Sequence, residues 1–106
     1  GMTQAEADTI GWRGTDEGGK LKQIGTTHWQ NPNTGATNES GYTALPGGYR
    51  YIDGNFIDMC IYDSFWSSAE SDDDYAWSRY LGFNSSGVGR SYDDKQYGFS
   101  VRCVKD

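Results

Sequence analysis

From Ala76 to Phe83 the chain alternates between two sets of side chains, and that period of two constrains the fold more than any other feature. Trp77, Arg79, Leu81 and Phe83 fall on one side; Ser78, Tyr80, Gly82 and Asn84 fall on the other. Alternation of this kind belongs to a strand, not a helix. It predicts one core face and one presented face. Asn84-Ser85-Ser86-Gly87 is a turn sequence, so Val88 to Tyr92 is expected to return as the hairpin partner. Phe56 to Ile61, behind the Asp53-Gly54 turn, and Phe65 to Glu70 read as two more strands. Tyr97 to Val104 reads as a closing strand with Phe99, Val101 and Cys103 on one face. No helix of ordinary length is expected, and Lys20 to Ile24 suits either a strand or a single helical turn.

The remaining chain is punctuated by turn residues. Fifteen glycines in 106 residues demand many turns, and Gly11 to Gly19 reads as a glycine-rich loop. Four tryptophans and eight tyrosines argue against disorder. Trp29, Trp66, Trp77, Leu81, Phe83 and Phe99 are the expected core. Thr3 and Glu6 have the spacing of a capping box, but no apolar run follows. Residues 1–10 are therefore expected to be a frayed helix remnant or an addition at the terminus, with Gly1 ahead of Met2 read as added. The expectation is one α+β domain over 1–106, β-rich and loop-rich, with short antiparallel strands and little helix.

A net charge of −6 with scattered Lys and Arg excludes nucleic acid as the expected partner. No apolar run approaches the ~18 residues of a membrane span, and the residues after Met2 form neither a signal peptide nor a lipid anchor. His28 is the only histidine; beside Trp29 it reads as a loop residue rather than a catalytic base. Cys60 and Cys103 lie in no metal-ligand motif; they are open to a disulfide or to two buried free thiols. Glu70 with Asp72, Asp73 and Asp74 offers a carboxylate pair for hydrolysis, weighed against an ordinary solvated face. The same aspartates, with Asn84, Asp93 or Asp94 opposite, are the weak candidates for calcium; otherwise no cofactor and no enzymatic activity is expected.

The region from Ser71 to Tyr97 is the most informative. Tyr75, Ser78, Tyr80, Ser91, Tyr92, Asp93 and Tyr97 combine large, rigid contact surfaces with adaptable hydrogen bonding, as antibody loops do. The plain alternative is a polar sheet face with aromatic cross-strand pairs. The residue mix favours a ligand-binding surface for a protein or glycan.

Several segments carry a family resemblance. Gly18-Gly19-Lys20-Leu21-Lys22, Gly25-Thr26-Thr27-His28-Trp29, Gly41-Tyr42-Thr43-Ala44-Leu45-Pro46-Gly47-Gly48, Phe65-Trp66-Ser67-Ser68-Ala69-Glu70 and Gly98-Phe99-Ser100-Val101-Arg102-Cys103-Val104 are similar to the Fibrobacter succinogenes major paralogous domain. The resemblance runs from about residue 11 to the end. It implies a C-type-lectin-like fold, in the branch shared with formylglycine-generating enzymes, and an extracellular or cell-surface bacterial setting. It does not carry over that branch's cysteine chemistry, because Cys60 and Cys103 fit no such pair. It also implies an N-terminal half that this chain lacks, so the fold is expected to be partial. A homodimer covering the exposed surface is one remedy. Some lectin-like proteins of this kind are diversified by retroelements through adenine mutagenesis, which yields Tyr, Ser, Gly and Asp. The mix at Ser71 to Tyr97 suits a variable display domain. The sugar-binding triplets of calcium-dependent lectins are absent, which leaves that reading and a self-assembling structural domain as alternatives.

Overall fold

Strand pairing follows the alternation and the turns. A computed structural model describes residues 3–70, 72–99 and 101. Strands β4 (Tyr62–Glu70), β5 (Tyr75–Gly82) and β6 (Val88–Asp94) form an antiparallel meander, with a register shift in β4 between Trp66 and Glu70. Asp72 makes the first hairpin turn. Its Oδ1 accepts from the backbone N–H of Asp74 and of Tyr75 at 2.8 and 3.0 Å, as an Asx turn requires. Strand β1 (Gly11–Arg13) adds to the far side of β6, giving the order β1-β6-β5-β4. A second ribbon pairs β2 (Tyr49–Arg50) with β3 (Phe56–Ile57). The helices are short: α1 (Gln4–Ala7) and α2 (Glu17–Leu21). The described residues are thus β-rich and antiparallel, with little helix.

Several expectations need correcting. Gly11 to Gly19 is not one loop, since it holds β1 and the start of α2. The strand expected at Phe56 to Ile61 stops at Ile57, because Asp58 and Cys60 take positive φ values of 62° and 72° and the chain turns there. Residues that leave the extended region cannot continue a ladder. Cys60 is exposed rather than a buried thiol, and Cys103 lies outside the described residues. The closing strand is reduced, within its described part, to a single bridge between Arg50 and Gly98; Ser100 and 102–104 lie outside that part. Residues 3–8, expected to fray, form α1 and its cap. Thr3 Oγ1 accepts from Glu6 N–H at 3.2 Å. Arg13 donates to the Ala7 carbonyl and Arg90 to that of Asp8.

The core sits under one end of the sheet. Trp29, Ala44, Leu81 and Val88 are its buried members, with Leu21, Tyr42, Phe65 and Phe83 packed around them. Of the six residues expected to form the core, Trp29 and Leu81 are fully buried. Phe83 packs against them, while Trp66, Trp77 and Phe99 are half-buried and lie elsewhere. At the centre is a residue that no hydrophobic pattern reveals. Lys22 is 0% exposed. Its ammonium donates to the carbonyls of Thr34, Gly82 and Ser85 at 2.8, 2.8 and 2.9 Å. The same group lies 5.4 Å from the centre of the Trp29 ring, in cation–π range. Trp29 in turn donates its indole N–H to the Ala44 carbonyl at 2.9 Å. Helix α2 reaches this centre because Gly18 and Gly19 have no side chains. A Cβ on Gly18 would lie 1.9 Å from the Gly87 carbonyl oxygen, and one on Gly19 would lie 2.0 Å from that of Gly35.

Two outcomes follow for stability. Gly18→Ala must push α2 off the β5–β6 turn and is expected to cost about 2 kcal/mol or more in urea melts. Lys22→Met leaves three enclosed carbonyls without donors and is expected to cost roughly 3 kcal/mol. The lysine also has a pH signature, because burial pulls its pKa from 10.5 down to about 8. Below pH 8 both folded and unfolded states carry the proton. Above pH 8 the folded state releases it first, so the unfolded state binds more protons and stability rises with pH, by at most ~1.4 kcal/mol per unit. Above pH ~10 the rise is opposed. There burial, and second the nearby aspartate charge, hold the Tyr49 and Tyr80 hydroxyls above their ordinary value, so the unfolded tyrosines ionise first. Urea melts between pH 7.5 and 9.5 are expected to show a rising slope that Lys22→Met removes.

Candidate functional site

The two faces of the meander differ in side-chain size. On the face opposite the core, Ser64 stands across from Tyr80, and Ser78 stands across from Ser91. Gly82 and Gly89 belong to the same face. Small residues on three neighbouring strands leave a depression, and larger residues from other segments wall it. The resulting cleft holds about 380 Å3. Tyr62 and Tyr80 rise from the sheet, while Tyr49, Tyr97 and Phe99 come from the segments bridged by Arg50 and Gly98. The outer wall is a set of interlocked rings. Tyr49 meets Phe99 edge-on at 5.8 Å, Tyr51 meets Tyr97 at 5.2 Å, and Phe99 lies on Trp66 at 4.3 Å. These are favourable aromatic separations. The inner wall depends on a glycine. The Tyr80 ring lies directly over Gly89 and meets Trp12 edge-on at 4.8 Å.

The polar groups of the cleft are the hydroxyls of four tyrosines and three serines and the carboxylates of Asp58 and Asp93. Ser78 is 1% exposed, and its hydroxyl donates to Asp93 Oδ2 at 2.6 Å. Ser64 is 8% exposed, lines the cleft, and makes no side-chain hydrogen bond among the described residues. Asp58 and Asp93 both line the cleft, and no described cation does. Their field reaches the tyrosines. Burial first, then Asp58 and Asp93 among its neighbours, raises the Tyr49 hydroxyl. Burial and then Asp93 raise that of Tyr80. Tyr97 is raised by burial first, by its Tyr51 neighbour next, and by Asp93 further down. The tyrosines are therefore neutral hydrogen-bonding groups at neutral pH.

The structure splits the seven candidate binding residues. Ser78, Tyr80, Ser91, Asp93 and Tyr97 line the cleft. Tyr75 and Tyr92 do not, because they project on the Leu81 face, beyond the end of the core. There Tyr92 meets Tyr75 and Trp77 edge-on at 6.0 and 5.6 Å. Trp77 is half-buried beneath the Arg90 guanidinium at 3.7 Å. The fully presented placement of Ser78 is also corrected, since that hydroxyl lies at the cleft floor. Asp72, Asp73 and Asp74 occupy the β4–β5 turn. Among the described residues no group of three or more His, Cys, Asp or Glu is placed to hold a metal ion. The Glu70 side chain and Ser71 lie outside the described residues. His28 is exposed, and its Nδ1 donates to Gln23 Oε1 at 2.8 Å, away from the cleft. Ser64, Tyr49, Asp58 and Tyr62 were not legible as site residues. The signal for Ser64 was the same period of two, extended through Tyr62 to Trp66 and read across the hairpin.

No described helix is long and apolar enough to cross a membrane. A family model, the Fibrobacter succinogenes major domain, matches residues 1–105. The match takes in residues 1–10, which the segment resemblance had left out. No curated protein and no solved structure matches.

The inner wall can be tested directly. A Cβ at Gly89 would stand 2.0 Å from the Tyr80 ring. Gly89→Ala is expected to swing Tyr80 away from Trp12 and to cost about 1–3 kcal/mol. Loss of ring-to-ring NOEs between Trp12 and Tyr80 checks the displacement.

Proposed function

Starting from a chain that belongs to the Fibrobacter succinogenes major domain family, we propose that it is a non-catalytic binding module that takes a chemical group of its ligand into the serine-floored, tyrosine-walled cleft. The carrying observation is convergence. Five residues chosen for their recognition chemistry line one cleft together with Ser64. Rigid tyrosine rings beside adaptable serine hydroxyls are the usual makings of a recognition surface. The C-type-lectin-like scaffold and display on a bacterial or phage surface complete this reading through the family resemblance. In that setting the Tyr, Ser and Asp positions are the ones that retroelement diversification would exchange. A near-copy template repeat beside a reverse transcriptase gene is the genomic sign.

The test fills the cleft without touching the core face. Ser91 lines the cleft and is only half-buried. Ser91→Phe is expected to leave melting within a few degrees and to abolish capture of ligands found on glycan and peptide arrays. Capture that survives Ser91→Phe but fails in Tyr92→Ala would move the site to the Tyr75–Tyr92 face and end this reading. A calcium-dependent rise in melting temperature would instead favour the lectin alternative, since a bound ion stabilises by mass action. Self-association is a second reading, favoured by Ile52, Phe56 and Met59, exposed at 50%, 73% and 62%. A molar mass that grows with concentration is its sign.

A further inference from the structure

We propose that the group the cleft selects is an organic cation, the ammonium or guanidinium of a lysine or arginine side chain on a partner polypeptide. The inference rests on the cleft being the binding site and adds the chemistry of its occupant. Three observations carry it. First, the cleft has two carboxylates, Asp58 and Asp93, and no described cation to neutralise them. One Asp93 oxygen takes the Ser78 hydroxyl, and a carboxylate has acceptor capacity well beyond one bond. Second, the Ser64 hydroxyl lines the cleft and makes no hydrogen bond to another described residue. Its lone pairs suit an N–H donor, and an ammonium brings three. Third, the walls are aromatic faces, and Tyr49, Tyr80 and Tyr97 are neutral. Such faces attract cations when water is excluded.

An anion would meet two like charges in the same space, and a purely apolar group would leave both carboxylates without a cation. The position of the hydroxyl distinguishes among cations. It belongs to the strand floor and the rings to the walls, so a charge at the end of an apolar stem reaches it while the stem packs on the walls. Lysine and arginine side chains have that form. An amino sugar carries its charge on the ring itself.

The experiment follows backbone amide shifts of Ser64, Ser78, Ser91 and Asp93 during titration with four probes. These are N-acetyl-lysine amide, N-acetyl-arginine amide, N-acetyl-norleucine amide and glucosamine. The two cationic amino-acid amides are expected to shift all four amides, with weakening at high salt. Norleucine amide and glucosamine are expected to shift them little. Asp93→Asn keeps an oxygen for Ser78 and is expected to weaken lysine-amide binding about tenfold. Asp58→Asn is the second variant and suits its backbone, because asparagine tolerates the positive φ of 62° found there. Equal shifts from norleucine and lysine amides would overturn charge selection and leave the cleft as a site. Shifts from glucosamine alone would overturn the polypeptide source. Retained lysine-amide affinity in both aspartate variants would overturn the role of the carboxylates. If no probe and no array ligand moves any cleft resonance, the cleft reading falls and this inference falls with it.

Discussion

Lys22 brings three backbone carbonyls to one point, and the arrangement of the domain depends on that meeting. A buried ammonium is costly unless its donors are taken. Here the partners come from the Thr34 loop, from the end of β5 at Gly82, and from the β5–β6 turn at Ser85. One charge therefore ties the sheet to the long segment that crosses beneath it. Trp29 closes the cage from that segment and is itself held through Ala44. The glycine pair of α2 lets a helix lie backbone to backbone against the same turn.

With the hairpin fixed at that end, register decides everything above it. Leu81 and Val88 must face the cage, so Ser78, Tyr80 and Ser91 must face the other way. The depression on that side arises from side-chain volume: Ser64, Ser78 and Ser91 form its floor, with tyrosine rings standing around them. The aromatic wall from Tyr49, Tyr97 and Phe99 needs only a short bridge at Arg50 and Gly98 to stand in place. The cleft is thus a consequence of the core as much as of its own residues.

The legible and illegible parts divide along physical lines. Strands β4 to β6 were readable because one face of each is covered and the period of two survives burial. Helix α2 and strand β1 were not, because their glycines look like loop punctuation, and only close backbone packing explains them. The apolar run from Phe56 to Ile61 misled, because hydrophobicity says nothing of the positive φ at Asp58 and Cys60. Lys22 was invisible, since a lysine satisfied by carbonyls leaves no partner residue type to find. Within the site, Ser78, Tyr80, Ser91, Asp93 and Tyr97 were legible from alternation and residue type. Ser64, Tyr49 and Asp58 were not, because they join the cleft through pairings between distant stretches of chain. Tyr75 and Tyr92 were misplaced because residue type outweighed the parity that puts them with Trp77.

The parity of these strands also divides the freedom of the sequence to change. A codon in β5 or β6 is followed by one whose product points to the opposite side. One set answers to the Lys22 cage and Leu81, and the other lines the cleft. Ser78 and Ser91 contribute their backbones to the ladder whatever side chains they carry. Gly89 marks the limit of that freedom, since Tyr80 occupies the space of any replacement. Apart from such positions, a strand of this kind can exchange the side chains of one face and keep the same fold, carrying architecture and surface on alternate letters of a single text.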